Sequence, residues 1–215
     1  MKLSKIANRL VWGGMFIVIL MLGYQFKDTI GFLSTGTLTV SESETDPDTI
    51  HLRWVGEVGP AMTGNLRDSI PEWRGRKRRV VLELSSPGGS VADGAAVVRM
   101  LRDLRRTHDL ETVVRAGENC LSMCVPIYLQ GAKRVASPRS RWMFHEVRVR
   151  DAFDDDDPGR RDGRSTDKLF ENFFKPEGVT ESWITVTRHA MRKGDVWRTG
   201  QALVDEKSGI IHTLQ

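Results

Sequence analysis

"RVVLELSSPGGSVADGAAVVRMLRDLRR", residues 79–106, changes its period in the middle. Its first part, "RVVLELSS", is a β-branched apolar run that reads as a buried strand. Further on, Val91, Ala95, Val98, Leu101 and Leu104 recur at helical spacing and share one face. Pro87, Gly88 and Gly89 lie between the two periods. A strand that turns through glycines into a helix is the repeating joint of an α/β domain with largely parallel pairing. The adjacent glycines let backbone N–H groups face outward with no Cβ in the way, at a helix start that already favours negative charge. That suits an oxygen that gains charge in a transition state. A Gly-Gly turn by itself is most often only a turn, and the phosphate-loop pattern GxxxxGK[ST] is absent.

The same alternation continues on both sides. "IHLRWVGEV" (50–58) alternates as a half-buried strand, and "MTGNLRDSIPEW" (62–73) reads as a short helix ended at Pro71. "LETVVRA" (110–116) is a further strand, followed by Gly117, and a helix is expected from near Ser122. "RWMFHEV" (141–147) is strand-like and carries His145. The segment 151–166 is charged, contains glycine and proline, and reads as a mobile loop. Helices are expected near 167–175 and 181–192. The tail "DVWRTGQALVDEKSGIIHTL" (195–214) reads as a short helix, a glycine turn and a closing strand.

The chain has 215 residues, 40% of them hydrophobic, with 32 basic and 28 acidic side chains for a net charge of +4. This is one domain's worth of chain with a sizeable core. The mild charge, with arginine runs at 74–79 and 99–106 that suit solvated faces, argues against a nucleic-acid partner. At the N-terminus, Lys2, Lys5 and Arg9 precede an uncharged run, Leu10–Phe26. At ~1.5 Å rise per residue that run crosses most of a ~30 Å hydrocarbon core. The positive flank predicts a cytoplasmic N-terminus (1–9), a signal anchor (10–26) and an exported remainder. A cleaved signal peptide is the rival, but bulky residues stand where a small-x-small cleavage site is wanted. Residues 27–48 read as a tether with one short strand, and 49–215 as the folded domain.

In such sheets functional groups collect where strands end and helices begin, here at Ser85–Ser90 and Gly117–Met123. Ser122 there is either a helix cap or a nucleophile, and a nucleophile needs a base and an orienting acid. His145, on an apolar strand, is either a satisfied core histidine or that base. Asp195 is either a cap or the acid. Cys120 and Cys124, the two cysteines of the chain, flank the serine and leave open a disulfide or a pair of packed thiols. A zinc site would need partners beyond His145.

Together these stretches resemble the Clp protease proteolytic subunit and its superfamily, which includes signal peptide peptidase A. The resemblance rests on "LELSSPGGSVADGAAVVRML", Ser122 in a strand-to-helix bend, "GAKRVASPRSRWMFHEV" and "GDVWRTGQALVDEKSGII". It implies a ClpP/crotonase-like α/β fold of repeated β-β-α units with a mostly parallel sheet, behind one transmembrane helix. It implies Ser122 as nucleophile, His145 as general base and Asp195 as acid, with Gly88, Gly89 and Met123 at the oxyanion hole. It further implies an extended polypeptide substrate, a homo-oligomer and no cofactor. Cys120 and Cys124 are not part of the Clp pattern. An exported domain would also lack the ATP-driven unfoldase of the Clp subunit. Lys133 and Lys193 are candidates for a serine–lysine pair, and Asp205 is another carboxylate. An idle peptide-binding module and an acyl-CoA enzyme of the crotonase type are the alternatives of other classes.

Overall fold

The computed structural model describes residues 36–149 and 159–215. Over these the chain runs β1 (Gly36–Glu42), β2 (Thr49–Gly56), α1 (Pro60–Trp73), β3 (Arg79–Ser85), α2 (Val91–Leu104), β4 (Asp109–Val114), β5 (Asn119–Leu121) and α3 (Cys124–Tyr128). It continues through β6 (Lys133–Ala136), β7 (Arg141–Phe144), β8 (Arg148–Val149), β9 (Arg160–Arg161) and α4 (Gly163–Leu169). A π-helical turn (Phe170–Phe174) and a 3-10 turn (Lys175–Glu177) follow, then α5 (Glu181–Met191), β10 (Val196–Thr199), α6 (Gly200–Asp205) and β11 (Thr213–Leu214).

The main sheet has the order β1-β2-β3-β4-β6-β11 and is parallel apart from β1, which pairs antiparallel with β2. A second sheet has the order β10-β7-β5, with β5 parallel and β10 antiparallel to β7. This is a mixed α/β fold built on a mostly parallel sheet, as the alternation of 50–116 predicts. One face of β3 is fully buried through Val80, Leu82 and Leu84, and the other carries half-buried Val81 and the ion-paired Glu83. Helix α2 lays Val97, Val98, Leu101 and Leu104 on the core. At ~1.5–3 kcal/mol per fully buried side chain, that stripe outweighs its helix propensity. Val91 departs from the expected face: it is 42% exposed, because the first turn of α2 overhangs a cleft instead of the sheet.

Several elements differ from the sequence reading. The one short strand expected in the tether is β1, and because it pairs along its whole length with β2 it joins the main sheet. Helix α1 passes through Pro71 to Trp73. Proline that late removes one terminal hydrogen bond, and the buried Trp73 side chain holds the last turn on the core. The segment 195–199, expected as helix, holds strand β10, whose Val196 is buried. Within the segment read as a loop, β9 pairs with β8, and Asp162 caps α4 through the Arg164 amide. Residues 151–158 of that loop, and the run Leu10–Phe26, lie outside the described residues. No helix among the described residues is long and apolar enough to cross a membrane.

Candidate active site

The bend between β5 and α3 carries Ser122 at φ +50°. A left-handed conformation costs a non-glycine residue ~1–2 kcal/mol, so something must hold it there. The Ser122 amide donates to the Met143 carbonyl (2.8 Å), the Leu121 amide to the Ser86 carbonyl (3.0 Å), and the Val125 amide to the Ser122 carbonyl (3.0 Å). A disulfide joins Cys120 to Cys124 across the bend, with Cα atoms 5.2 Å apart and both residues fully buried. Behind the bend, Tyr128 of α3 packs edge-on against Trp142 of β7, ring centroids 4.8 Å apart.

The glycine turn backs onto this bend. A Cβ at Gly88 would lie 2.7 Å from both the Leu121 carbonyl oxygen and Ser122 Cβ, and 3.1 Å from the Met123 nitrogen. Gly88 also has φ +90°, so only glycine fits. Gly89 lies alongside Val58: the Val58 amide donates to the Gly88 carbonyl and the Ser90 amide to the Val58 carbonyl, both at 2.8 Å. That pairing leaves the exposed Gly89 amide facing away. The amides of Gly89 and Met123 donate to no described group, whereas the Gly88 amide donates to Ser86 Oγ (3.1 Å). Gly88 therefore acts by close packing and Gly89 and Met123 present the open donors. The Met123 side chain rests over Gly94 of α2, where an added Cβ would meet its Cγ at 2.3 Å.

One cleft of about 870 Å³ brings together Gly88, Gly89, Ser122, Met123 and His145. Its inner wall is apolar, made by Phe144, Leu169, Phe170, Phe173, Phe174 and Met191, and its rim includes Glu57, Arg148 and Lys168. His145 lies one residue beyond β7, not on the strand itself. Its Nδ1 is 2.7 Å from the Glu146 carbonyl oxygen. A carbonyl can only accept, so Nδ1 is the donor of this pair, and in the neutral tautomer Nε2 is left as the acceptor. Ser122 Oγ and the imidazole share the cleft without a hydrogen bond between them.

Asp195 directly precedes β10. The ladder ends at the pair Val196–Phe144, so Asp195 and His145 are the first residues past its end on either strand. Its carboxylate is exposed and makes no hydrogen bond or ion pair to a described residue, and it does not line the cleft. Asp205 accepts from Gln201 on α6 (2.9 Å). Neither Lys133, paired with Glu111 at 3.0 Å, nor Lys193 lines the cleft. No cluster of metal-ligating side chains occurs among the described residues.

Charge steadies the joint from behind. Ser85 Oγ donates to Glu118, and Arg53 pairs with the same carboxylate at 2.7 Å. The Ser85 bond and then Arg53 hold the Glu118 carboxyl below its ordinary value. Glu83, nearly buried on β3, is lowered chiefly by its hydrogen bond from Arg115. Sequence reading passed over three contributors: the Glu146 carbonyl, Val58 beside Gly89, and the aromatic wall "FENFF" at 170–174. Only the last has a sequence signal, its density of phenylalanine, and a π-helical turn at such a wall is a frequent functional feature.

The half-buried serine on a strained turn, the open amides and the histidine in one cleft have the make-up of a serine-hydrolase site. The Clp protease family model matches residues 71–151, a stretch that contains the glycine turn, Ser122 and His145 but ends before Asp195. Over that stretch the chain is Clp-protease-like, and the match supports a serine-peptidase-type function. Among solved structures, a ClpP1 mutant from Listeria monocytogenes is similar at 15% identity over 76% of this chain and 88% of that one, with a TM-score of 0.49. No curated protein matches the chain.

Proposed function

We propose that the chain is an exported, membrane-anchored serine peptidase that cleaves extended polypeptide segments without ATP. The observation that carries this is Ser122 held at φ +50° beside two unused amides, in the cleft shared with His145. In this reading His145 Nε2 takes the Ser122 proton as Oγ attacks the peptide carbonyl. The tetrahedral oxyanion is met by the Gly89 and Met123 amides. His145 then protonates the departing amine, and water releases the acyl group by the same steps reversed. The apolar wall receives a hydrophobic side chain of the substrate. Asp195 orients the imidazole after a small closing movement of β10 and the 145–147 turn. Uncomplexed sites are often loose in this way. Export is supported by the Cys120–Cys124 disulfide, a bond of oxidising compartments, and anchorage by the run Leu10–Phe26. A homo-oligomer is part of the proposal, by the resemblance to Clp subunits.

The second reading, an idle peptide-binding module, is favoured by His145 Nδ1 bonding to Glu146 instead of Asp195. Incubation of the chain with an unfolded, cysteine-free protein separates the two. The peptidase reading expects fragments with new termini following hydrophobic residues, lost in Ser122→Ala. Binding without cleavage by wild type and Ser122→Ala alike would support the idle module.

A further inference from the structure

Resting on the peptidase reading, we propose that the Cys120–Cys124 disulfide is a positioning clamp for the nucleophile, setting both Ser122 and the Met123 amide. The upstream side of the bend is fixed to its neighbours: Ser86 brackets Cys120, giving its amide to the Asn119 carbonyl (2.8 Å) and its carbonyl to the Leu121 amide (3.0 Å). The downstream side is α3, a helix of five residues. Its amides and carbonyls close mainly on its own short turns, so it has little backbone hold on the strand before it. The disulfide ties the middle residue of β5 to the first residue of α3, with Leu121, Ser122 and Met123 between. These are the residues that must sit in a left-handed bend and present an unused amide. Without the covalent tie, only the hydrogen bonds of Ser122 to Met143 and Val125 oppose its relaxation into an ordinary φ, and that movement swings Oγ and the Met123 N–H together.

Both sulfur-bearing residues are fully buried. The bond is therefore a fixed brace and not a surface redox switch, and the site is assembled once, when the chain is oxidised. The brace sets position and not binding: neither cysteine lines the cleft, and the apolar wall belongs to other elements.

The test is saturation kinetics of a fluorophosphonate on the full wild-type chain, on C120A/C124A and on C120S/C124S. Melting curves and near-ultraviolet circular dichroism are taken beside them. The clamp predicts that the maximal inactivation rate falls about 5- to 30-fold in both variants, the population shift expected when the left-handed bend is no longer enforced. The probe's half-saturation concentration should stay within about 3-fold and the cooperative melt should persist. Unchanged inactivation rates in folded variants would overturn the clamp. So would loss of the cooperative melt in both, because the bond would then hold the whole fold and not this bend. A wild-type chain that does not react refutes the peptidase reading instead, which keeps the two failures apart.

Discussion

Gly88→Ala puts the joint between the two halves of the site under direct strain. Its φ of +90° excludes an L-residue, at a cost of ~1–2 kcal/mol. The added methyl would stand 2.7 Å from the Leu121 carbonyl oxygen and from Ser122 Cβ. Both belong to the pinned bend, and overpacking of this kind costs ~1–3 kcal/mol. The sum of about 2–5 kcal/mol is large beside a typical stability of ~5–15 kcal/mol. At ~2–4 °C per kcal/mol for a domain of this size, melting should drop by roughly 4–20 °C. Gly117→Ala is the control: its φ is +78°, yet nothing lies within 4 Å of the added methyl. It should lose only the backbone cost of ~1–2 kcal/mol, partly offset through the unfolded chain. Urea melts give both numbers, and fluorophosphonate reaction gives the effect on Ser122. It should fall ~100-fold or more for Gly88→Ala, the scale of losing an oxyanion donor, and change little for Gly117→Ala. If the two variants melt together and react equally, the close packing of the glycine turn on the Ser122 bend is wrong.

Other expectations follow from neighbouring contacts. Gly94→Ala pushes its methyl to 2.3 Å from Met123 Cγ; the displaced side chain should cost ~1–3 kcal/mol and slow peptide cleavage with little change in KM. Asp195→Ala should lower kcat ~10³- to 10⁴-fold if its carboxylate closes onto His145; an unchanged rate would leave the Glu146 carbonyl as the orienting group. The Glu83 carboxyl is lowered from an ordinary value of 4.5 by Arg115. The unfolded chain therefore binds its proton first, and stability present above pH 4.5 drains away as the pH falls below it. Urea melts from pH 7 to pH 3 should show that loss, and Glu83→Gln should flatten it.

The strand–turn–helix of 79–106 is legible because both periods are strong and the glycines between them have no other use. Ser122 is legible only through its company, since a serine before a helix is ordinarily a cap. The positive φ that sets it apart leaves no mark on residue type: it comes from Met143, Ser86 and the disulfide, all brought in by pairing over distance. Val91 fits the helical period but not the core, because burial depends on what α2 lies over. The stretch Val196–Thr199 follows a helix and precedes one, and only pairing with β7 makes it a strand. Asp195 shows the same limit: it lies just past the end of the β10–β7 ladder, as His145 does, yet sequence says nothing of where its carboxylate turns.

If Ser122 is an activated nucleophile, covalent capture will find it. The full chain is treated with a fluorophosphonate at neutral pH, digested, and the adduct located by mass spectrometry. One adduct is expected, on Ser122, absent from Ser122→Ala and slowed by at least ~100-fold in His145→Ala. No adduct on the folded wild-type chain, or an adduct that persists at the same rate without His145, would contradict it.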